Sequence, residues 1–393
     1  MEEGRPVWAE IDLDAVAHNV QEIRRRIGPH PQIMAVVKAN AYGHGAVPVG
    51  KAVLEAGASQ LGVACVDEGV QLRCGGITAP IVILGYVPPW EAEDAVRHNL
   101  APSVTNHNGA KALEQAAAAA AKRVGVHVKV DTGMARLGLL PSDVPDFVRF
   151  LETLPHLVIE GLYTHFASAD ESDKGFTWQQ FQTFQAVSGR IDSPALRHAA
   201  NSGAVCDLPE MALDMVRPGI SLYGCYPSTE VTHSVSLRPA LSLRSRVARI
   251  MTLAPGETVS YGRTWRAKRH SRIALIPCGY ADGVPRLLSN RGAVLIRGQR
   301  APIAGRVCMD HLMVDVTAIP DVALHDEAVL IGRQGDAEIP VEEVAQLAQT
   351  ISYEVLCALA PRIPRYYLRG GQVVERQSLV GRSAPSSSAE SLA

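Results

Sequence analysis

Ile33-Met34-Ala35-Val36-Val37-Lys38-Ala39-Asn40-Ala41-Tyr42-Gly43-His44-Gly45 is the stretch from which the rest of the chain is read. Its apolar, β-branched start predicts a strand over Ile33 to Val37. That strand closes on a lysine, followed at once by small residues, a tyrosine and two glycines. Desolvating an ammonium is expensive unless the group is paired or neutral. Neutral is the state in which an amine attacks a carbonyl and forms a Schiff base. A lysine snorkelling out of a strand end fits the same residues as well.

Outward from Lys38 the pattern repeats. Short apolar strands are predicted at Leu61 to Cys65, Ile81 to Leu84, Pro102 to Val104, Val126 to Val130, Leu157 to Tyr163, Ala195 to His198 and Asp214 to Val216. Helical spacing lies between them, around Asp67 to Gln71, Glu91 to His98 and Phe176 to Ile191, with a helix-favouring alanine run at Ala116 to Ala121. Eight strand–helix units in under about 200 residues point to an α/β fold with an N-terminal (β/α)8 TIM-type barrel. A doubly wound open sheet would need fewer strands and a G-x-G-x-x-G first turn, which the sequence lacks.

After Leu237 the rhythm changes. Leu241 to Ile250, Arg272 to Pro277, Ala293 to Ile296, Met313 to Val316 and Ala328 to Ile331 read as short strands between Gly/Pro turns, and only Val341 to Gln349 and Tyr353 to Leu359 read as helices. This predicts a C-terminal, mainly β domain, with Trp8 to Leu13 as an early strand able to join it. The expected division is 12–236 for the barrel and 1–11 with 237–376 for the β domain. The end of the chain, 377–393, rich in Ser and Ala from Ser383, is expected to be a disordered tail.

Composition bounds the function. A chain of 393 residues exceeds one hydrophobic core. Its 47% hydrophobic and 20% charged content is that of a soluble globular protein. A net charge of -2 argues against nucleic acid or an anionic membrane as the main partner. No apolar run approaches the roughly 20 residues that span a bilayer, and the acidic start Met1-Glu2-Glu3-Gly4-Arg5-Pro6 has no signal-peptide core. Seven scattered cysteines without a C-x-x-C pair suit reduced thiols in a cytoplasm. With no paired histidine spacing either, no metal is expected.

In such barrels functional groups collect at the carboxyl ends of the strands. Lys38 ends the first. Arg136 follows the fifth in Asp131-Thr132-Gly133-Met134-Ala135-Arg136, and His165 ends the sixth. Asn201, Ser202 and Gly203 follow the seventh, and Arg217 ends the eighth before Pro218-Gly219-Ile220. Each alone has a bland explanation; five on one rim together do not.

These segments resemble, in order and spacing, those of the alanine racemase family. So do Val259-Ser260-Tyr261-Gly262-Arg263, Cys308-Met309-Asp310-His311 and Ile351-Ser352-Tyr353-Glu354. The similarity runs from Trp8 to about Leu368. It implies an amino-acid racemase dependent on pyridoxal 5'-phosphate, interconverting L- and D-alanine by a two-base mechanism and supplying D-alanine for peptidoglycan in the cytoplasm.

Residue by residue, the resemblance implies that Lys38 holds the cofactor as an imine and acts as one base, with Tyr261 as the other. Tyr42, Ser202, Gly219, Ile220 and Tyr353 would cradle the phosphate; Asn201 and His165 belong to the same cofactor site. Arg217 would face the pyridine nitrogen. A guanidinium cannot give up its proton, so that nitrogen would stay neutral and the electron sink weak, which favours reprotonation over transamination. A tyrosine is only about 0.1% ionised at pH 7, and His165, linking Tyr261 to Arg217, would correct this. Arg136 and the Met309 N–H would orient the substrate. Lys129 is the position carbamylated in some members, and Asp170, Tyr280, Arg286 and Arg306 match the substrate entryway. In the family Tyr261 and Met309 come from the other subunit, which implies a homodimer with shared active sites. The nearest alternative is a serine or broad-specificity racemase of the same fold. The related decarboxylases would add a Gly-rich phosphate loop and a Cys-Glu pair, neither of which is found. A cofactor carrier would lack the second domain.

Overall fold

The structure is a computed structural model and describes residues 5–192 and 195–383. The chain divides into two units, one of residues 15–238 and the other of 1–14 with 239–393.

In the first unit eight parallel strands close into a barrel. They are Gln32–Val36, Gln60–Val63, Ile81–Ile83, Ala101–Val104, Val124–Lys129, Leu157–Tyr163, Leu196–His198 and Met215–Val216. Closure is made by Gln32 and Ile33 pairing with Met215 and Val216. All eight predicted strands are present, each shifted at its ends by no more than a residue or two. Helices follow the strands, among them Val66–Cys74, His107–Ala119 and Gly175–Ser188. His107–Ala119 takes in the alanine run only as far as Ala119 and is capped by Asn106, whose side chain accepts the Gly109 N–H. Met34, Val82, Ala101 and Met215 pack together in the barrel. Gly62 makes room for them, since a Cβ there would lie 3.2 Å from Met34 Sδ.

The second unit is mainly β, as its turn-rich sequence predicts. The strand Val7–Asp12 lies antiparallel to Leu241–Arg246 and parallel to Arg365–Arg369 within a nine-stranded sheet. A three-stranded sheet joins Arg249–Leu253, Ser271–Ile276 and Leu312–Asp315.

Two expectations are corrected. Leu241 to Ile250 is not one strand but two, Leu241–Arg246 and Arg249–Leu253, because the chain crosses between sheets there. Val247 N–H bonds to Asp326 O on one side, and Ala248 N–H to Leu275 O on the other. Residues 377–383, assigned to a disordered tail, continue the sheet. Gln377 and Ser378 end the strand Gln372–Ser378, which pairs back on Arg365–Arg369, and Gly381–Ser383 pairs with it in turn. The rest of the expected tail, 384–393, lies outside the described residues.

Candidate active site

Lys38 leaves the first barrel strand into an unusual turn. Ala39, Asn40, Ala41 and Tyr42 all have φ between 50° and 54°, the left-handed region. For L-residues this costs about 1–2 kcal/mol each, so neighbours must impose it. Glu68 does so by accepting the N–H of Ala39 (2.6 Å) and of Ala64 (2.7 Å). Asn40 Oδ1 accepts the Ala46 N–H, and Gly43 and Gly45 return N–H bonds to Ala39 O and Asn40 O. Strain over-determined in this way is typical of functional sites. It presents Lys38 half-buried at the rim and turns Tyr42 inward.

The Tyr42 hydroxyl reaches Gly219, where a Cβ would sit only 2.5 Å from it. Ser202 Oγ accepts the Gly219 N–H at 2.9 Å and lies 3.0 Å from Ser221 Oγ. Asn201 caps the short helix Ser202–Asp207, its side chain accepting the Ala204 N–H, and Ile220 opens the turn Ile220–Tyr223. Hydroxyls and backbone amides thus gather where side-chain bulk is excluded, the chemistry of an anion cradle.

Arg217, buried beneath the rim, spreads its guanidinium over four acceptors. It donates to His198 Nδ1 (2.9 Å), Thr164 O (2.7 Å), Ala199 O (3.0 Å) and His165 Nδ1 (3.2 Å). A guanidinium only donates, so both histidines must accept at Nδ1 and carry hydrogen on Nε2. His198 can then donate to His127 Nδ1, 3.0 Å away. Burial, then the charge of Arg217, holds His165 and His198 well below the ordinary imidazole range and brings His127 to about 3. All three are neutral. Tyr163 stacks on His198 with ring centres 4.7 Å apart, its hydroxyl 2.6 Å from Ser103 Oγ. His127 fits only because Gly161 has no side chain; a Cβ there would lie 2.0 Å from Nδ1.

Cations converge here. Burial pulls Lys129 down to about 8, and Arg217, Arg136 and Lys38 push it the same way, with Asp131 opposing. Arg217 itself is brought to about 10 by burial. Arg136 is exposed on the loop after the fifth strand, which Asp131 shapes by accepting the Gly133 and Ala135 N–H groups. Asp170 is half-buried, its carbonyl accepting the Ser228 hydroxyl.

The other expected residues lie in the β unit. Tyr261 is 71% exposed and Met309 53%. Arg306 packs its guanidinium against Gly262, and Ser260 Oγ donates to Arg306 O at 2.6 Å, so the Tyr261 turn and Arg306 are joined. Tyr280 N–H bonds to Cys308 O, tying Tyr280 to the Met309 loop. Arg286 is exposed at a 3-10 turn, and Tyr353 is half-buried in Ser352–Cys357. Among the described residues no cluster of three or more His, Cys, Asp or Glu is placed to hold a metal, and no helix is long and apolar enough to cross a membrane.

Sequence reading missed Glu68, Ser103, His127, Tyr163 and His198. The signal for two of them was present. His127 is two residues before Lys129 and so on the same strand face, and His198 is the last residue of the seventh strand.

The profile described as alanine racemase, N-terminal domain, matches residues 11–227, and that of the C-terminal domain matches 240–367. An alanine racemase of Halothermothrix orenii is 47% identical over 368 residues, 92% of this chain and 97% of its own. One of Clostridium perfringens is 45% identical over 378 residues, 94% of this chain and 97% of its own. Among solved structures, the alanine racemase of Clostridium difficile 630 superposes with a TM-score of 0.92 at 37% identity, covering 96% of this chain and 99% of its own. That of Bacillus anthracis with bound L-Ala-P gives 0.91 at 39%, covering 97% and 99%.

Proposed function

The chain belongs to the alanine racemase family, and from that premise we propose that it interconverts L- and D-alanine with pyridoxal 5'-phosphate held at the barrel rim. The convergence of Lys38, Lys129, Arg136 and Arg217, which adds to burial in lowering Lys129 to about 8, carries this reading. Such a cluster fits a ligand that brings its own negative charge, here a phosphate and an amino-acid carboxylate. Ser202 with the Gly219 and Ile220 amides, the Tyr42 hydroxyl and Tyr353 would hold the phosphate. Lys38 would anchor the aldehyde end, Arg217 would meet the ring nitrogen, and Asn201 would cap the cradle.

When bound, the cofactor supplies an electron sink that weakens the α-C–H bond of the amino acid. The chain's own residues do the rest. Lys38 Nζ takes or returns the α-proton on one face; on the other, Tyr261 takes it as the phenolate and returns it as the hydroxyl. Arg217 keeps its proton and donates to His165 Nδ1, leaving His165 with an Nε2–H. That N–H is a donor suited to a phenolate oxygen, and it would donate to the Tyr261 oxygen where the two meet. Arg136 and the Met309 N–H orient the substrate carboxylate. Asp170, Tyr280, Arg286 and Arg306 line its way in.

Tyr261 and Met309 would be supplied by a second copy of the chain. Their exposure, with that of Tyr280 (41%) and Leu287 (51%), supports a homodimer that shares its active sites. A neutral amine reacts with carbon dioxide, so the lowered Lys129 supports carbamylation there. The added carboxylate would pair with Arg136. The role follows the family: a cytoplasmic enzyme making D-alanine for peptidoglycan.

A chiral assay of the purified, cofactor-loaded protein across alanine, serine and lysine tests the reading. Alanine should be racemised fastest. Faster turnover of serine or lysine would replace it with a broad-specificity racemase.

A further inference from the structure

The β unit contains a charge cluster, Arg5, Asp282, Arg362 and Asp310, that the proposed chemistry leaves unused. The Asp282 side chain is fully buried. A buried carboxylate is tolerated only when its lone pairs are filled. Asp282 accepts from both terminal nitrogens of Arg5, one of them at 2.8 Å, from Arg362 Nε at 2.7 Å and from the Gly279 N–H at 3.0 Å. Burial pushes its carboxyl up, but the Arg5, Gly279 and Arg362 hydrogen bonds outweigh that and hold it below the ordinary range. It is therefore ionised at neutral pH.

Arg362 carries this anchor outward. While Nε holds Asp282, its Nη2 donates to Asp310 Oδ1 at 2.7 Å, one residue beyond Met309. The turn that Asp282 closes also reaches the Met309 loop through backbone. Tyr280 N–H bonds to Cys308 O at 3.0 Å and Ala281 N–H to Met309 O at 2.9 Å. Gly279 permits this approach, since a Cβ there would lie 2.4 Å from both carbonyl oxygens. The peptide plane is rigid, so fixing the Cys308 carbonyl fixes the direction of the Met309 N–H on the same plane.

We propose that Asp282 and Arg362 are positioning residues that aim the Met309 N–H and thereby set how tightly the amino-acid carboxylate is held. This rests on the role proposed above for Met309. Arg362 is the better residue to test because it is part-exposed while Asp282 is not.

Arg362→Gln should raise KM for L- and D-alanine together by about tenfold, with kcat within about twofold, because binding common to ground and transition states is lost. Bound pyridoxal phosphate should be unchanged. Arg362→Lys keeps the charge but cannot span two carboxylates, so it should also raise KM. A merely structural residue would lower the melting temperature and leave KM alone; that result in both variants would overturn the proposal. If Arg362→Gln does not fold, Asp310→Asn cuts only the half-exposed end. A severalfold rise in KM is expected there, and an unchanged KM overturns the proposal. An unmodified protein inactive on alanine would sink the underlying reading and this one with it. An active protein with unaltered variants would sink this one alone.

Discussion

At the barrel rim burial, then Arg217, Arg136 and Lys38, push Lys129 down, with Asp131 the acidic group opposing them. In the β unit Arg5 and Arg362 share one buried carboxylate, Asp282, and Arg362 has Asp310 as well. In the second cluster two cations meet two anions; around Lys129 three cations act against one anion. A balanced cluster ties loops together, whereas one in which cations outnumber anions around Lys129 favours an anionic ligand. The two sets of residues should therefore answer mutation differently.

The largest contrast is expected for Lys38→Ala. Racemisation should fall by at least about 10^4-fold, since anchoring amine and base are removed together, while the fold is kept. A chiral assay with a circular-dichroism control checks both halves. Tyr261→Phe should lower turnover by about 10^2- to 10^4-fold. It should also leave α-proton exchange from one enantiomer running through Lys38. Equal loss of deuterium uptake from L- and D-alanine would end the two-base scheme.

In the balanced cluster, Asp282→Asn leaves two arginines facing a neutral amide and should destabilise the β unit by about 3–5 kcal/mol. Urea unfolding at pH 7 measures this, and a shift below about 1 kcal/mol would show that the cluster holds little. Lys129→Met should do the opposite. In cofactor-free protein without carbon dioxide, the folded Lys129 amine titrates near 8 and its unfolded counterpart near 10.5. Below pH 8 the folded state bears the full penalty of a charged buried amine. Between pH 8 and 10.5 the unfolded chain holds the extra proton, so wild-type stability rises with pH. Lys129→Met should thus be the more stable protein at pH 7, by about 1–3 kcal/mol, with the gap closing above pH 8. A gap independent of pH would refute the lowered Lys129 amine.

The same contrast explains what the sequence revealed. The barrel was legible because its strands are apolar runs at regular spacing, and Lys38, His165 and Arg217 stand where such runs stop. Ala39 to Tyr42 gave no sign of their left-handed turn. Alanine has no preference for it, and the cause, Glu68, is distant in sequence and bonded to Ala39 only in the fold. His198 and His127 were hidden by their neutrality to any motif, although their strand positions face inward. Among the strands missed in the β unit, Arg365–Arg369 and Gln372–Ser378 are too charged to read as core. Gly370 and Gly371, both with positive φ, are nonetheless the two-residue hairpin signal between them. The Asp282 cluster joins Arg5, near the start of the chain, to Asp282, Asp310 and Arg362, so no local pattern could announce it.

The proposed chemistry turns on the amine of Lys38 holding the cofactor. Borohydride reduction of the yellow, cofactor-loaded protein, followed by digestion and mass spectrometry, reads this out. One pyridoxyl label is expected, on the peptide containing Lys38. A label on Lys129 or any other lysine, or none at all, would overturn it.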